Sequence, residues 1–129
     1  MSLRSPLGRA LGMGSAKTGT GHWWAQRMSA VALVPLTLWF VVSLVLLPGL
    51  EYGVLRAWLA APFSGLLACL LVAALAYHSY LGTMVIVEDY VHRTGYRVAV
   101  LMALRFLYVL AGGGGIFAIL RIAFGTTNL

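Results

Sequence analysis

The chain of 129 residues is 61% hydrophobic and only 9% charged, where an ordinary soluble domain is about 45 to 50% apolar and about 25% charged, so it is an integral membrane protein. Its length holds three spans of about 20 to 25 residues with short connections and excludes a separate soluble catalytic domain. The net charge of +6, from nine Lys and Arg against three acids, flanks apolar segments where the positive-inside bias and anionic headgroups put basic residues, so membrane topology accounts for it and nucleic-acid binding does not.

Residues 1–20 are Gly- and Ser-rich with Arg4, Arg9 and Lys17, a composition unable to bury enough apolar surface to order itself. This is an arm to be ordered by a partner. Arg4 and Arg9 precede an apolar stretch as a signal peptide's charged region would, but Met28 to Leu47 is too long for a signal-peptide core and no small-residue cleavage site follows. It reads as a retained span. A mitochondrial presequence would also lack acids, yet no clear amphipathic helix is present. Gly21 to Arg27 (GHWWAQR) has the tryptophans and arginine of an interfacial belt. Residues 1–27 are therefore assigned to a basic arm and interfacial segment, and 28–129 to a membrane anchor.

The first span is expected over about 28–47, with Ser29, Thr37 and Ser43 as its polar side chains and Pro35 inside it, where a kink is tolerated in a membrane helix. Pro48-Gly49 is a stop, and Glu51, Arg56 and Trp58 belong to a short connection or surface helix. The second span is expected over about 62–87, long enough to tilt, and ends at Glu88-Asp89-Tyr90. The third, about 98–124, carries Arg105, Arg121 and a run of four glycines from Gly112 to Gly115. Such a run implies either close helix approach or a local distortion. The single Cys69, inside an apolar run, reads as a small buried hydrophobe. Counting basic residues near span ends gives Arg4, Arg9, Lys17, Arg27, Arg93 and Arg97 on one side and Arg56 and Arg121 on the other. Six against two puts the N-terminus and Asp89-Tyr90 on the cytoplasmic side.

Within the second span stands His78, and an ionisable group at membrane depth is a functional candidate because it is costly there. Asp89 follows eleven residues later, about three turns, so it returns to within about 20° of the same face and lies roughly 16 Å further along the axis. With Asp89 at a surface, His78 is near the midplane of a hydrocarbon core about 30 Å thick. A neutral imidazole suits axial ligation of haem iron. Equally, such a histidine can bond a neighbouring helix or line a proton path. His22 and His92 sit at or beyond the span ends, so a bis-histidine haem needs its second ligand from another chain. Tyr90 fits an aromatic-belt anchor, and its phenolic donor also suits the carbonyl of a lipid-soluble quinone. Beside it, Asp89 could orient a cation or relay protons.

His78, ten intervening residues and then Asp89-Tyr90, in the second of three spans, resembles the smaller hydrophobic membrane anchor of succinate dehydrogenase. Arg4-Ser5-Pro6-Leu7-Gly8, Gly14-Ser15-Ala16-Lys17, His22-Trp23-Trp24 and Gln26-Arg27 are similar to its alphaproteobacterial and mitochondrial-type versions. The resemblance implies an all-α membrane protein whose three transmembrane helices form half of a heterodimeric haem-binding bundle. It implies that His78 is an axial ligand to haem b, shared with a larger cytochrome b-type anchor, and that Arg27 lies near the haem propionates. Tyr90 would hydrogen-bond ubiquinone and Asp89 would organise that site. Further implied partners are an iron-sulfur subunit and a flavoprotein subunit, with the complex in the bacterial inner membrane. No flavin or cluster is expected in this chain, because one cysteine cannot hold a cluster needing four. Open alternatives are the anchor of a related fumarate reductase and a non-redox scaffold or transporter subunit.

Overall fold

The structure is a computed structural model that describes residues 19–125. These residues form four helices: α1 (Gly19–Leu46), α2 (Tyr52–Ala60), α3 (Pro62–Tyr90) and α4 (Thr94–Phe124). Three are long and apolar enough to cross a membrane, over Thr20–Leu46, Pro62–Tyr90 and Thr94–Phe124. The all-α, three-span architecture expected from the sequence is therefore present, with the surface helix of the first connection as α2.

The helices outrun the expected spans at one end of the bundle. α1 begins at Gly19, ahead of the span expected from about Met28, α3 continues to Tyr90, past the span expected to end at Val87, and α4 begins at Thr94, ahead of the span expected from Val98. Hydropathy stops at the first polar residue, whereas backbone hydrogen bonding continues through the headgroup layer, where belt side chains are solvated. Residues 19–27, which include the interfacial segment, are helical, while 1–18 lie outside the described residues. His22 lies in the first turn of α1, at the end of its candidate span, as expected.

The corner between α2 and α3 is set by one dipeptide. Proline disfavours helical backbone in the residue before it, and Ala61, ahead of Pro62, is extended at φ −66 and ψ 127. Ala61 thus ends α2, donating its N–H to the Ala57 carbonyl, and precedes α3, whose first turn starts with Pro62, where a missing N–H costs nothing. Gly65 then lets α2 fold back closely, since a Cβ there would come within 2.7 Å of the Leu59 carbonyl oxygen. Trp58 of α2 stacks on Trp39 of α1 with ring centroids 5.6 Å apart and an interplanar angle of 21°. The far end of the bundle is tied by the Arg56 guanidinium, which donates to the Gly125 carbonyl at 2.6 Å, just past α4.

α3 is the central element, with α1 and α4 both packed along it. The four-glycine run resolves in favour of close approach, because α4 is continuous through it. Gly112 is buried, and a Cβ on it would lie 3.0 Å from the Ala76 Cβ. One on Gly115 would lie 2.9 Å from Val72 Cγ1, while Gly113 and Gly114 face open space. The same seam carries a hydroxyl pair: Thr83 Oγ1 donates to the Ser79 carbonyl at 2.9 Å and meets the Tyr108 hydroxyl at 2.8 Å. Among the described residues only Ala68 and Leu81 are buried apolar side chains, and Ser29 is the one buried polar residue. Most apolar surface thus faces outward.

Candidate functional site

Along the other seam, α1 presents His22, Gln26 and Ser29 to α3 at spacings of four and three residues, which aligns them on one helical face. Ser29 is 8% exposed. Its hydroxyl donates to the Gln26 carbonyl at 3.0 Å and lies 2.9 Å from His78 Nδ1 on α3. Gln26 reaches the next turn of α3, its Nε2 lying 3.7 Å from where a Cβ on Gly82 would be. Ser29 against His78 and Gln26 against Gly82 define an antiparallel register, so His22 lies one turn further toward the α3 C-terminus. Within this seam the His22 Nε2 and Gln26 Oε1 atoms are buried and have no hydrogen-bond partner among the described residues. Buried polar atoms without a partner are uncommon and mark sites that something else completes.

His78 itself is half-buried. With Nδ1 engaged by α1, its Nε2 makes no hydrogen bond to another described residue. Among the described residues no three His, Cys, Asp or Glu side chains cluster to hold a bare metal ion. A haem asks less of this chain, because the macrocycle brings four nitrogens and needs from the protein only an axial one. The donor set, one imidazole nitrogen held and one free, fits that group.

Asp89 and Tyr90 form the last turn of α3, continuous with His78. Tyr90 is 80% exposed, and Asp89 is exposed beside it. Among the described residues little covers the Tyr90 ring. Its backbone carbonyl accepts from His92 Nδ1 at 3.1 Å, which satisfies one of the free carbonyls at the helix end. Arg27 is exposed, with its guanidinium 5.5 Å from the Trp23 ring centroid, a cation–π contact within the belt.

The candidate residues thus share α3, with His78 at mid-helix and Asp89-Tyr90 at the end. His22, Gln26 and Ser29 were missed as site residues by reasoning from hydropathy. Their spacing on one face of α1 was the available signal.

Comparison with known proteins gives a consistent result. Residues 1–112 match the profile described as succinate dehydrogenase/fumarate reductase transmembrane subunit. The chain is 31% identical over 121 residues to the succinate dehydrogenase hydrophobic membrane anchor subunit of Paracoccus denitrificans, covering 94% of this chain and 93% of that protein. It is 28% identical over 107 residues to the protein of the same name from Rickettsia bellii, covering 83% and 86% respectively. A third similar protein of that name, from Rickettsia conorii, is 28% identical over 89 residues, covering 68% and 71%.

Proposed function

This chain belongs to the succinate dehydrogenase/fumarate reductase transmembrane-subunit family, and we propose that it is the hydrophobic anchor of succinate dehydrogenase, supplying half of a haem b site and part of a ubiquinone pocket. The observation that carries the haem reading is the asymmetry of His78: Nδ1 is held by Ser29 at 2.9 Å, so the ring is fixed while Nε2 stays free. His78 would then hold the haem iron from this chain, with a second ligand from a larger cytochrome b-type anchor, and the bound haem b would supply one-electron exchange.

The chain's own residues have simpler tasks. The Tyr90 hydroxyl donates a hydrogen bond to a quinone carbonyl, and Asp89 organises the polar end of that pocket. Succinate loses two electrons and two protons at a flavin in a soluble subunit, and the electrons pass through the iron-sulfur subunit to ubiquinone, which takes up two protons to become quinol. The count of basic residues supports Asp89 and Tyr90 on the positive-inside face, the side on which the iron-sulfur subunit would dock. Arg27, in the N-terminal part of α1, would lie near the haem propionates. The inner membrane with a cytoplasmic N-terminus is the corresponding location.

The test is the complex purified in mild detergent. Two soluble subunits and one further membrane subunit should copurify, and the complex should show a low-spin b-type absorption band that is lost in His78→Ala. A band that survives that substitution overturns the ligand assignment.

A further inference from the structure

Ser29 carries one hydroxyl proton and makes two contacts. One acceptor is the Gln26 carbonyl at 3.0 Å, which can only accept, so the hydroxyl proton is committed there. Toward His78 Nδ1, 2.9 Å away, the same oxygen can therefore only accept. The proton of that second contact comes from the imidazole. From this network we infer that Ser29 is a positioning residue for the axial ligand: it fixes His78 as the Nδ1–H tautomer and leaves the Nε2 lone pair for iron.

This rests on the haem-ligand reading above and adds a residue and a mechanism to it. Seam geometry makes the device rigid. Ser29 is almost fully buried, the Gln26 carbonyl is part of the helix backbone, and Gly82, one turn from His78, has room for the Gln26 side chain where α1 crosses. A ring that donates through Nδ1 to an oxygen has more electron density at Nε2 and is a stronger ligand for iron. Oxidised iron gains more from that density than reduced iron does. The Ser29 oxygen therefore lowers the haem midpoint potential and holds the ring in its ligating orientation.

The experiment uses the intact complex with Ser29→Thr and Ser29→Val, which differ in a hydroxyl against a methyl at nearly equal volume. Ser29→Thr should keep the wild-type potential and low-spin spectrum. Ser29→Val should raise the potential by up to about a tenfold change in the one-electron reduction equilibrium, which is about 59 mV, and should weaken haem retention about 10- to 100-fold. Ser29→Ala, which removes only the oxygen, should shift the potential the same way without added bulk. Equal potentials in the Thr, Val and Ala variants with haem bound overturn the inference. A wild-type complex without a b-type band, or a band unaffected by His78→Ala, instead overturns the ligand reading and the inference with it.

Discussion

Along the α1–α3 seam a hydroxyl, that of Ser29, back-bonds to its own helix and accepts from His78. Along the α3–α4 seam another, that of Thr83, back-bonds to Ser79 and takes its second contact from Tyr108. By the same proton count, Tyr108 is the donor to Thr83. What surrounds the two hydroxyls differs. The α4 seam is closed by Gly112 and Gly115 against Ala76 and Val72, and among the described residues it leaves no buried side-chain polar atom unpaired. Among the described residues the α1 seam leaves His22 Nε2 and Gln26 Oε1 without partners and gives His78 a hydrogen bond at Nδ1 alone. One seam pairs its buried polar atoms, and the other leaves two of them unpaired among the described residues. A packing seam and a site can therefore share the same local chemistry, and unfinished hydrogen bonding distinguishes them.

That contrast can be broken most severely from the α4 side. Gly112→Leu combined with Gly115→Leu should drive side chains into Ala76 and Val72 and prevent assembly, because overpacking costs about 1 to 3 kcal/mol per site and more where backbone must separate. Recovery of the complex by size-exclusion chromatography measures it, and normal yield would refute close packing. Next in size is a substitution outside both seams. Tyr90→Phe should lower succinate-driven quinone reduction roughly tenfold, as loss of a hydrogen bond of about 1.4 kcal/mol would, while succinate oxidation by an artificial soluble acceptor stays near normal. Equal loss of both activities would mean impaired assembly instead.

Smaller effects sharpen the α1 side. Gln26→Leu removes a buried acceptor that has no partner among the described residues, so the purified anchor alone should gain about 1 kcal/mol of stability, within the range for relieving such a group. In the full complex the same change should destabilise, if something bound there completes Gln26. Thermal denaturation in the two contexts should give opposite signs, and matching signs would remove the distinction between the seams. The smallest effect is the coupling of Thr83 with Tyr108, about 0.6 kcal/mol for a hydrogen bond between membrane helices. A double-mutant cycle of Thr83→Val and Tyr108→Phe measures it, and zero coupling would leave that hydroxyl pair without energetic weight.

Much of this was legible in the sequence. Hydropathy gave the three spans, Pro62 marked the corner, and the cost of an imidazole at membrane depth singled out His78. Helix ends were less legible, because α1, α3 and α4 extend through polar belt residues that hydropathy counts as outside. The glycine run left two readings until the register of α4 on α3 chose close approach at Gly112 and Gly115 and left Gly113 and Gly114 open. Ser29 was visible only as a polar side chain in a span. Its meeting with His78, 49 residues away, depends on how α1 slides along α3, and no local pattern fixes that. Arg27 shows the reverse case, since its contact with Trp23, four residues earlier on the same helix face, is a local one.

The scarcity of buried side chains, only Ala68, Leu81 and Ser29 among the described residues, bears on subunit stoichiometry. A chain with almost no interior owes its folded population to whatever covers it, so its stability shifts with the concentration of those partners by mass action. A melting temperature measured on this subunit is then a property of a mixture. Variants are comparable only at matched subunit ratios and in the same detergent, and a cell that makes this chain in excess of its partners carries the surplus as its least stable fraction.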